Sequence, residues 1–459
     1  MKDKRRHPRV GRRPVLPLLE QVNANAAGID CGAREHYVAV PPDRDPCPVR
    51  AFKTFTADLH RLADWLIACG VTTVAMEATG VYWIPIYEIL EARGIVAVLV
   101  NAHHVRNVPG RKSDVTDCEW LRELHSVGLL RASFRPQATI VALRSYLRHR
   151  ESLTQCAVTC VQRMQKELVQ MNLQLHIVLS DITGLTGMAI LRDIVSGQTD
   201  PQQLARHRDC RCQASEAEIQ AALTGNYSPQ HLFPLKQNLE LYGVVQKQIA
   251  ECDAAIEAQL RNMRPVRAPL VPLGKARKGH RAKNEPLFEI RPHLHQLLGL
   301  DLTQVDAIGP ATALRLISEI GTDMGRWPSP HHFTSWLTLA PKNKVSGGRL
   351  LSSRTQPSAN RAAALLRMAA MNQGRSQTAL GAFYRRLAAR VGKAKAITAT
   401  ARKLAILVYR TLKGEIAYSD PGPDAYHARS RETALRHLRR RAKTLGYALL
   451  HEQTGELLA

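Results

Sequence analysis

Aromatic residues are scarce in this chain: Phe, Trp and Tyr make up 5% of its 459 residues. Single-stranded nucleic acid is held largely by stacking bases on aromatic platforms, so that mode of recognition is disfavoured. Long apolar runs are missing too, and none approaches the ~18 residues that a membrane span needs, so no membrane partner is expected. The opening stretch MKDKRRHPRVGRR lacks the apolar run of a secretory signal. It reads either as an arm that lies on phosphates or as a solvated tail. The nine cysteines form no framework. Cys156 and Cys160 stand at helical i,i+4 spacing, and Cys210 and Cys212 make a lone CxC without a second ligand pair at finger spacing. Free thiols in a reducing cytosol are the expectation. Acids are the minority charge, 39 Asp and Glu against 64 Lys and Arg, for a net +25. A field of that sign collects polyanions and releases their counterions, which points to nucleic acid; a merely solvated basic surface is the alternative.

The length exceeds one ordinary core, and the pattern falls into segments. Residues 1–24 read as a basic flexible arm. Residues 25–136 read as an α/β domain: NAAGID, HYVAV and RAFKTF as three strands, TADLHRLADWLIACG as a helix, VTTVAME as a strand, VYWIPIYEILEARG as a helix, IVAVLV as a strand, and a last helix from near Ser113. That is the element order of an RNase H-like, resolvase-like nuclease fold. Residues 137–262 read as helical. Ala157, Val161, Met164, Leu168, Met171 and Leu175 recur in alternating steps of four and three, as in a coiled-coil seam, and Leu241, Val245, Ile249, Cys252, Ile256 and Leu260 make a second face. The two suit a helical coiled-coil arm, which could serve a dimer contact, or an ordinary helical core. Residues 263–300 read as a basic linker, since the stretch 261–295 holds nine Lys and Arg against two acids. Residues 301–415 read as a mostly α C-terminal domain, and 416–459 as a basic tail containing a helix candidate, RSRETALRHLRRRAKTL. No fixed-period repeat is present.

Four carboxylates stand where a metal site needs them. Asp30 closes the first strand in GIDCGAREHYVAV, Glu77 closes a later strand in VAMEATGVYW, and Asp114 and Asp117 follow in GRKSDVTDCEWL. An unpaired carboxylate at the end of a buried apolar run is costly. On a helix, i and i+3 share a face, so Asp114 and Asp117 point together. Two central strands bring Asp30 and Glu77 to the same place. Acids so gathered repel one another unless cations relieve them, and hard divalent ions with oxygen ligands can clamp both oxygens of a phosphoryl transfer. Taken singly, each acid has a plainer explanation: helix capping for Asp114 after Ser113, a turn for Asp30.

At these residues the sequence resembles the DEDD transposases of the insertion-sequence-110 family, a group that includes the Piv-like invertases and shares the IS116/IS110/IS902 C-terminal domain. The resemblance rests on GID, MEATGVYW, NAHHVRNVPGRKSDVTD, WLRELHSVGLLRASFRP, LRSYLRHRESL, SDITGLTGMAILRDIVSG, AIGPATALRLISEIG and WLTLAPKNKVSGG, and covers most of residues 25 to 415. It implies a catalytic tetrad of Asp30, Glu77, Asp114 and Asp117 that binds Mg2+ (or Mn2+). It implies a nucleophilic serine, Ser346 in KNKVSGGRL, that attacks a DNA phosphodiester and forms a phosphoserine link. It further implies a homo-oligomer, dimer or tetramer, in which the two domains come from different subunits, and an element-encoded non-coding guide RNA that directs the choice of DNA sites. A cytoplasmic, nucleoid-associated location follows from this reading.

Chemistry adds to the resemblance at the serine loop. A serine hydroxyl needs a base, metal or cation to activate it. Gly347 and Gly348 would let the backbone approach a phosphate. Lys342, Lys344 and Arg349 could hold that phosphate, and Lys112 is a further DNA-contact candidate in the first domain. Ser352 and Ser353 are weaker stand-ins for Ser346, and a flexible polar loop is the bland alternative. The segment VDAIGPATALRLI resembles a helix-hairpin-helix, which offers backbone N–H groups to a phosphate, but Asp306-Ala307 replaces its usual Pro-Gly, which argues against the tight turn. Three functions from different classes fit these features: a serine- and metal-dependent transposase, a metal-dependent junction-resolving nuclease that uses water, and a non-enzymatic nucleic-acid-binding protein.

Overall fold

A computed structural model describes residues 20–78, 80–101, 114–269, 272–275, 281–450, 452, 455, 457 and 458, with backbone alone at 114–116, 457 and 458. The chain divides into two compact units, Met1–Arg135 and Pro136–Ala459.

In the first unit, β1 (Ala26–Cys31), β2 (Glu35–Ala39), β3 (Val49–Lys53), α1 (Thr56–Ala68), β4 (Thr73–Glu77), α2 (Trp83–Ala92), β5 (Val96–Val100) and α3 (Asp114–Ser126) follow one another. The sheet order is β3-β2-β1-β4-β5. β1 runs antiparallel to β2 and parallel to β4, and β4 runs parallel to β5. This mixed α/β sheet, followed by a helical region, is consistent with an RNase H-like fold.

Strand alternation sorts side chains onto the two faces of this sheet. Ala27, Ile29 and Cys31 of β1 join Val38, Val74 and Met76 in a core with Leu59, Leu62 and Leu66 of α1 and Ile86 and Leu90 of α2. Ala26, Gly28 and Asp30 take the opposite face, toward α3. A Cβ on Gly28 would lie 2.2 Å from the Cys118 carbonyl oxygen and 2.5 Å from the Arg122 nitrogen, so glycine is what lets the helix backbone sit on the strand. The far end of α3 is fastened as well. Asn23 donates its backbone N–H to the Ser126 carbonyl (2.9 Å) and its side-chain amide to the His125 carbonyl (2.8 Å). His125 is buried, which lowers its pKa, and its Nε2 lies 2.8 Å from Thr73 Oγ1.

The second unit is built around two long helices, Ala138–Gln170 and Pro229–Asn262. They run antiparallel. Gln259 donates to the Thr139 carbonyl at 3.2 Å, Arg150 Nη2 to Asp253 at 3.3 Å, and His231 Nδ1 lies 2.9 Å from Glu167. The first seam ends sooner than its spacing suggests: the helix stops at Gln170, and Leu175 opens a separate short helix, Leu175–Val178. The second face is also displaced. Leu241 is 46% exposed, and Tyr242, at 8%, takes its place facing the first helix. Both seams meet each other within one chain, in a core completed by Leu173, Ile190, Leu191, Ile194 and Leu223 from the short helices between them.

The stretch expected as a basic linker is largely folded. Ile290–Leu298 is a helix that buries Ile290, Leu294, Leu297 and Leu298. Three of its described cations have partners inside the unit: Lys283 pairs with Asp181, Arg291 with Asp301 (2.6 Å), and Arg267 donates to the Leu412 carbonyl. The buried Arg150–Asp253 pair holds the segment before it, since Leu287 N–H donates to Asp253 (3.0 Å) and Arg150 donates to the Asn284 carbonyl (2.9 Å). Periodicity missed this helix because Pro292 and the neighbouring charges interrupt the pattern, whereas Pro is tolerated in a first helical turn.

Helices Pro310–Ile320, Arg361–Asn372, Ala379–Val391 and Lys393–Lys413 form the C-terminal part. Their core includes Phe333, 4.9 Å from Trp327 and 5.7 Å from Tyr409, with the Tyr409 hydroxyl donating to the Trp327 carbonyl at 2.7 Å. Ahead of Pro310–Ile320 the tight turn does form despite the Asp306-Ala307 replacement. Ala307 adopts φ 59°, the left-handed conformation that glycine would take without strain, and the Tyr418 hydroxyl donates to buried Asp306 at 2.7 Å.

Candidate active site

β1 and β4 pair in parallel register up to Ile29 opposite Met76. Asp30 and Glu77 are the next residue on each strand, so they stand side by side at the carboxyl ends of the two adjacent strands, on the α3 face. The crevice beyond the carboxyl ends of parallel strands is where open α/β sheets bind ligands. Asp117 immediately precedes Cys118, whose carbonyl rests on Gly28, and so lies in the N-terminal turn of α3 against the same face. Asp114 is the first residue of α3; its side chain lies outside the described residues, as does all of Lys112.

Two thiols report the field of these acids. Burial, reinforced by the charges of Asp30 and Glu77, pushes Cys31 up to about 12. Cys118 is pushed up to about 12 by burial, then by Glu119, with Asp30 contributing. One thiol is on each face of the sheet, and Asp30 acts on both. Protonated at neutral pH, neither thiol is a resting nucleophile. Among the described residues no three His, Cys, Asp or Glu side chains are gathered closely enough to hold a metal. The donors that share this end of the sheet are carboxylate oxygens, the ligand type of hard divalent cations rather than of zinc or copper.

Tyr37 is a site neighbour that sequence reasoning passed over. It is the direct cross-strand partner of Asp30, so both side chains leave the sheet on one face. The signal was the short connection in CGAREHY: Gly32 N–H donates to the Glu35 carbonyl at 3.2 Å, and this closes a turn that fixes the register. Exposed Val81 and Tyr82 follow β4 in the loop after Glu77.

Ser346 belongs to the second unit. It ends β6 (Lys344–Ser346), which pairs with β7 (Arg349–Ser352) through the two-residue turn Gly347-Gly348. Both glycines have positive φ, 53° and 73°, as a tight hairpin turn of this length requires. Their presence is thus explained by the turn alone. Lys342 N–H donates to the Arg354 carbonyl at 3.0 Å and closes the base of the hairpin. Arg349 is Ser346's direct cross-strand partner, and Lys344 lies two residues before Ser346 on the same strand, beyond a shift in the hairpin's register. Val345 and Leu350 occupy the other face, 61% and 58% exposed. Among the described residues no base hydrogen-bonds Ser346, and the hairpin is solvent-exposed almost throughout. Ser352 pairs with Lys344 at the far end of the hairpin.

No helix among the described residues is long and apolar enough to cross a membrane. A family model for DEDD transposases of the IS110 type, described as Transposase, matches residues 27–173. A second, described as Transposase IS116/IS110/IS902 family, matches residues 301–385. Between them they cover about half of the chain, including both strand-end acids, α3 and the serine hairpin. No curated protein matches it.

Proposed function

The chain belongs to the insertion-sequence-110 family of transposases, and from that premise we propose that it excises and inserts a mobile DNA element by metal-assisted strand cleavage and rejoining through a serine–DNA intermediate. The observation that carries this reading is the register of Asp30 beside Glu77 at the ends of the central parallel strands, with the middle of α3 laid on Gly28 of the same face. Asp30, Glu77, Asp114 and Asp117 are the residues that would hold magnesium or manganese. When bound, such a cation supplies charge stabilisation to the phosphate oxygens.

Ser346 Oγ attacks the phosphorus of a DNA phosphodiester. An Oγ–P bond forms as the bond from phosphorus to the departing sugar oxygen breaks, and that oxygen leaves as a hydroxyl carrying the proton given up by Ser346. A hydroxyl of the acceptor strand then attacks the phosphoserine, the P–Oγ bond breaks, and Ser346 regains its proton. Arg349 and Lys344 neutralise the charge that develops on the phosphate. The acid site of a second subunit accepts the Ser346 proton and passes it to the leaving oxygen; this arrangement rests on family membership and would make the active enzyme an oligomer. Site choice by an element-encoded RNA completes the proposal and rests on family membership. Altering the loops of an RNA transcribed from the flanking DNA should redirect insertion.

Ser346→Ala tests the central step. The expected result is loss of a denaturation-resistant protein–DNA adduct together with loss of strand cleavage. Cleavage that persists without adduct would favour the second reading, hydrolysis by water at the acid site. That reading is supported by the hairpin turn's own need for Gly347 and Gly348. Asp117→Ala should abolish cleavage and leave DNA binding intact; unchanged cleavage would leave a binding protein only.

A further inference from the structure

Helix Gly422–Thr444 buries no residue along its 23 positions, and it lies beyond both family-matched segments. Its first half is anchored: Tyr426 meets Phe383 edge-on at 6.2 Å, and Lys403 Nζ sits 4.1 Å over the Phe383 ring. Its second half carries Arg436, Arg439, Arg440, Arg441 and Lys443 with no acid among them, all exposed. Among the described residues of this helix, only Arg436 has an acidic partner, Glu432 at 2.9 Å. Cations in a last turn favour the helix dipole, but like charges at i,i+3 and i,i+4 offset that by a similar amount, so helix stability alone gives no reason for four unpaired cations here.

Successive helical residues are about 100° apart, so Arg439, Arg440 and Arg441 fan over about 200° of the circumference. Arg436 and Lys443 fall inside that arc. A helix resting on a flat anionic surface uses cations on one side. A helix flanked by phosphates on both sides uses an arc of this width. We infer that residues 436–443 lie in the major groove of duplex DNA and contact the phosphates of both strands. The groove of B-form DNA, about 12 Å wide, admits an α-helix of about 10–12 Å, while the major groove of duplex RNA is too narrow. The remaining arc holds Leu435, Leu438, Ala442 and Leu445, so binding to an anionic bilayer is the competing outcome that the test must separate. The inference rests on the reading that DNA is the substrate, and it is independent of the acids and of Ser346.

The test is binding of the full chain to duplex DNA against duplex RNA of equal length, over a series of salt concentrations. Arg439→Gln, Arg440→Gln and Arg441→Gln combined should weaken duplex DNA binding about tenfold or more, equally across sequences, and reduce the salt slope by about 0.9 for each phosphate no longer neutralised. Duplex RNA binding should change less than threefold. The matching triple Lys variant should retain the slope, and its helical circular dichroism controls for folding. An unchanged DNA slope, an equal loss on duplex RNA, or a loss seen only on anionic vesicles would each overturn the inference. An Asp117→Ala chain that binds DNA normally beside a triple variant that also binds normally would sink this helix's role alone. Failure of every version to bind DNA would sink the proposed function itself.

Discussion

The acid end of the first unit and the serine hairpin of the second are both proposed to touch the same phosphate, yet they are built in opposite ways. Asp30 and Glu77 inherit their positions from a core: Ile29 and Met76, the residues just before them, are fully buried, and Gly28 clamps α3 against the strand. Ser346 inherits its position from a turn of two glycines, with Val345, Leu350 and Leu351 left in solvent. Glycine does a different job in each place. At Gly28 it removes a side chain so that two backbones can touch; at Gly347 and Gly348 it supplies a backbone conformation. One proposed half of the site is therefore fixed on folding, and the other stands on an exposed hairpin.

The sharpest way to break this contrast is to neutralise the rigid half. Asp30→Asn or Glu77→Gln should reduce strand cleavage about a thousandfold or more, because several kcal/mol of charge stabilisation depend on them and each ~1.4 kcal/mol is tenfold. Thermal unfolding should barely move; a loss below tenfold in single-turnover cleavage would remove these acids from the chemistry. Gly28→Ala comes next. Its Cβ meets backbone that cannot give way, so urea unfolding should show a loss of about 3 kcal/mol, and cleavage should fall with it. A neutral result would mean that α3 is not held where the structure places it.

Alkali should also separate the halves. Cys31 and Cys118 titrate near 12 in the fold against 9.0 for a free thiol, so the unfolded chain releases these protons first. Stability of the first unit is then complete below about pH 9 and declines toward pH 12. Cys31→Ser with Cys118→Ser should flatten that decline. Equal alkaline loss in the double variant would place its origin elsewhere. In the hairpin, Gly347→Ala with Gly348→Ala should cost about 1 kcal/mol per site, confined to the hairpin. Adduct formation would drop while the global melting temperature stays within a degree, and a large fall in melting temperature would show that the hairpin is part of the core after all. The smallest effect is a gain. Ala307→Gly relieves a left-handed alanine and should stabilise the second unit by about 0.5–1 kcal/mol, less the added chain entropy; a loss would mean that the Ala307 methyl makes a needed contact.

The strands and both strand-end acids were legible because period-two alternation and an acid closing an apolar run are local signals. Tyr37 beside Asp30 was not, since cross-strand neighbours depend on register, which one residue of slip reverses. The helical seams were legible in period but not in extent: Met171 and Leu175 keep the spacing after the helix has ended at Gln170. Leu241 and Tyr242 show the same limit, because either can be drawn inward by a small rotation of the helix. The folded stretch around Arg291 was read from its charge; the Leu412 carbonyl that holds Arg267 is 145 residues away and leaves no local trace, and the pairing of Arg291 with Asp301 appears only once the helix between them has formed.

Because the two longest helices close their apolar seams on each other inside one chain, collapse of this part is a first-order event. Its yield does not depend on how many copies are present. Dilution therefore leaves this scaffold intact.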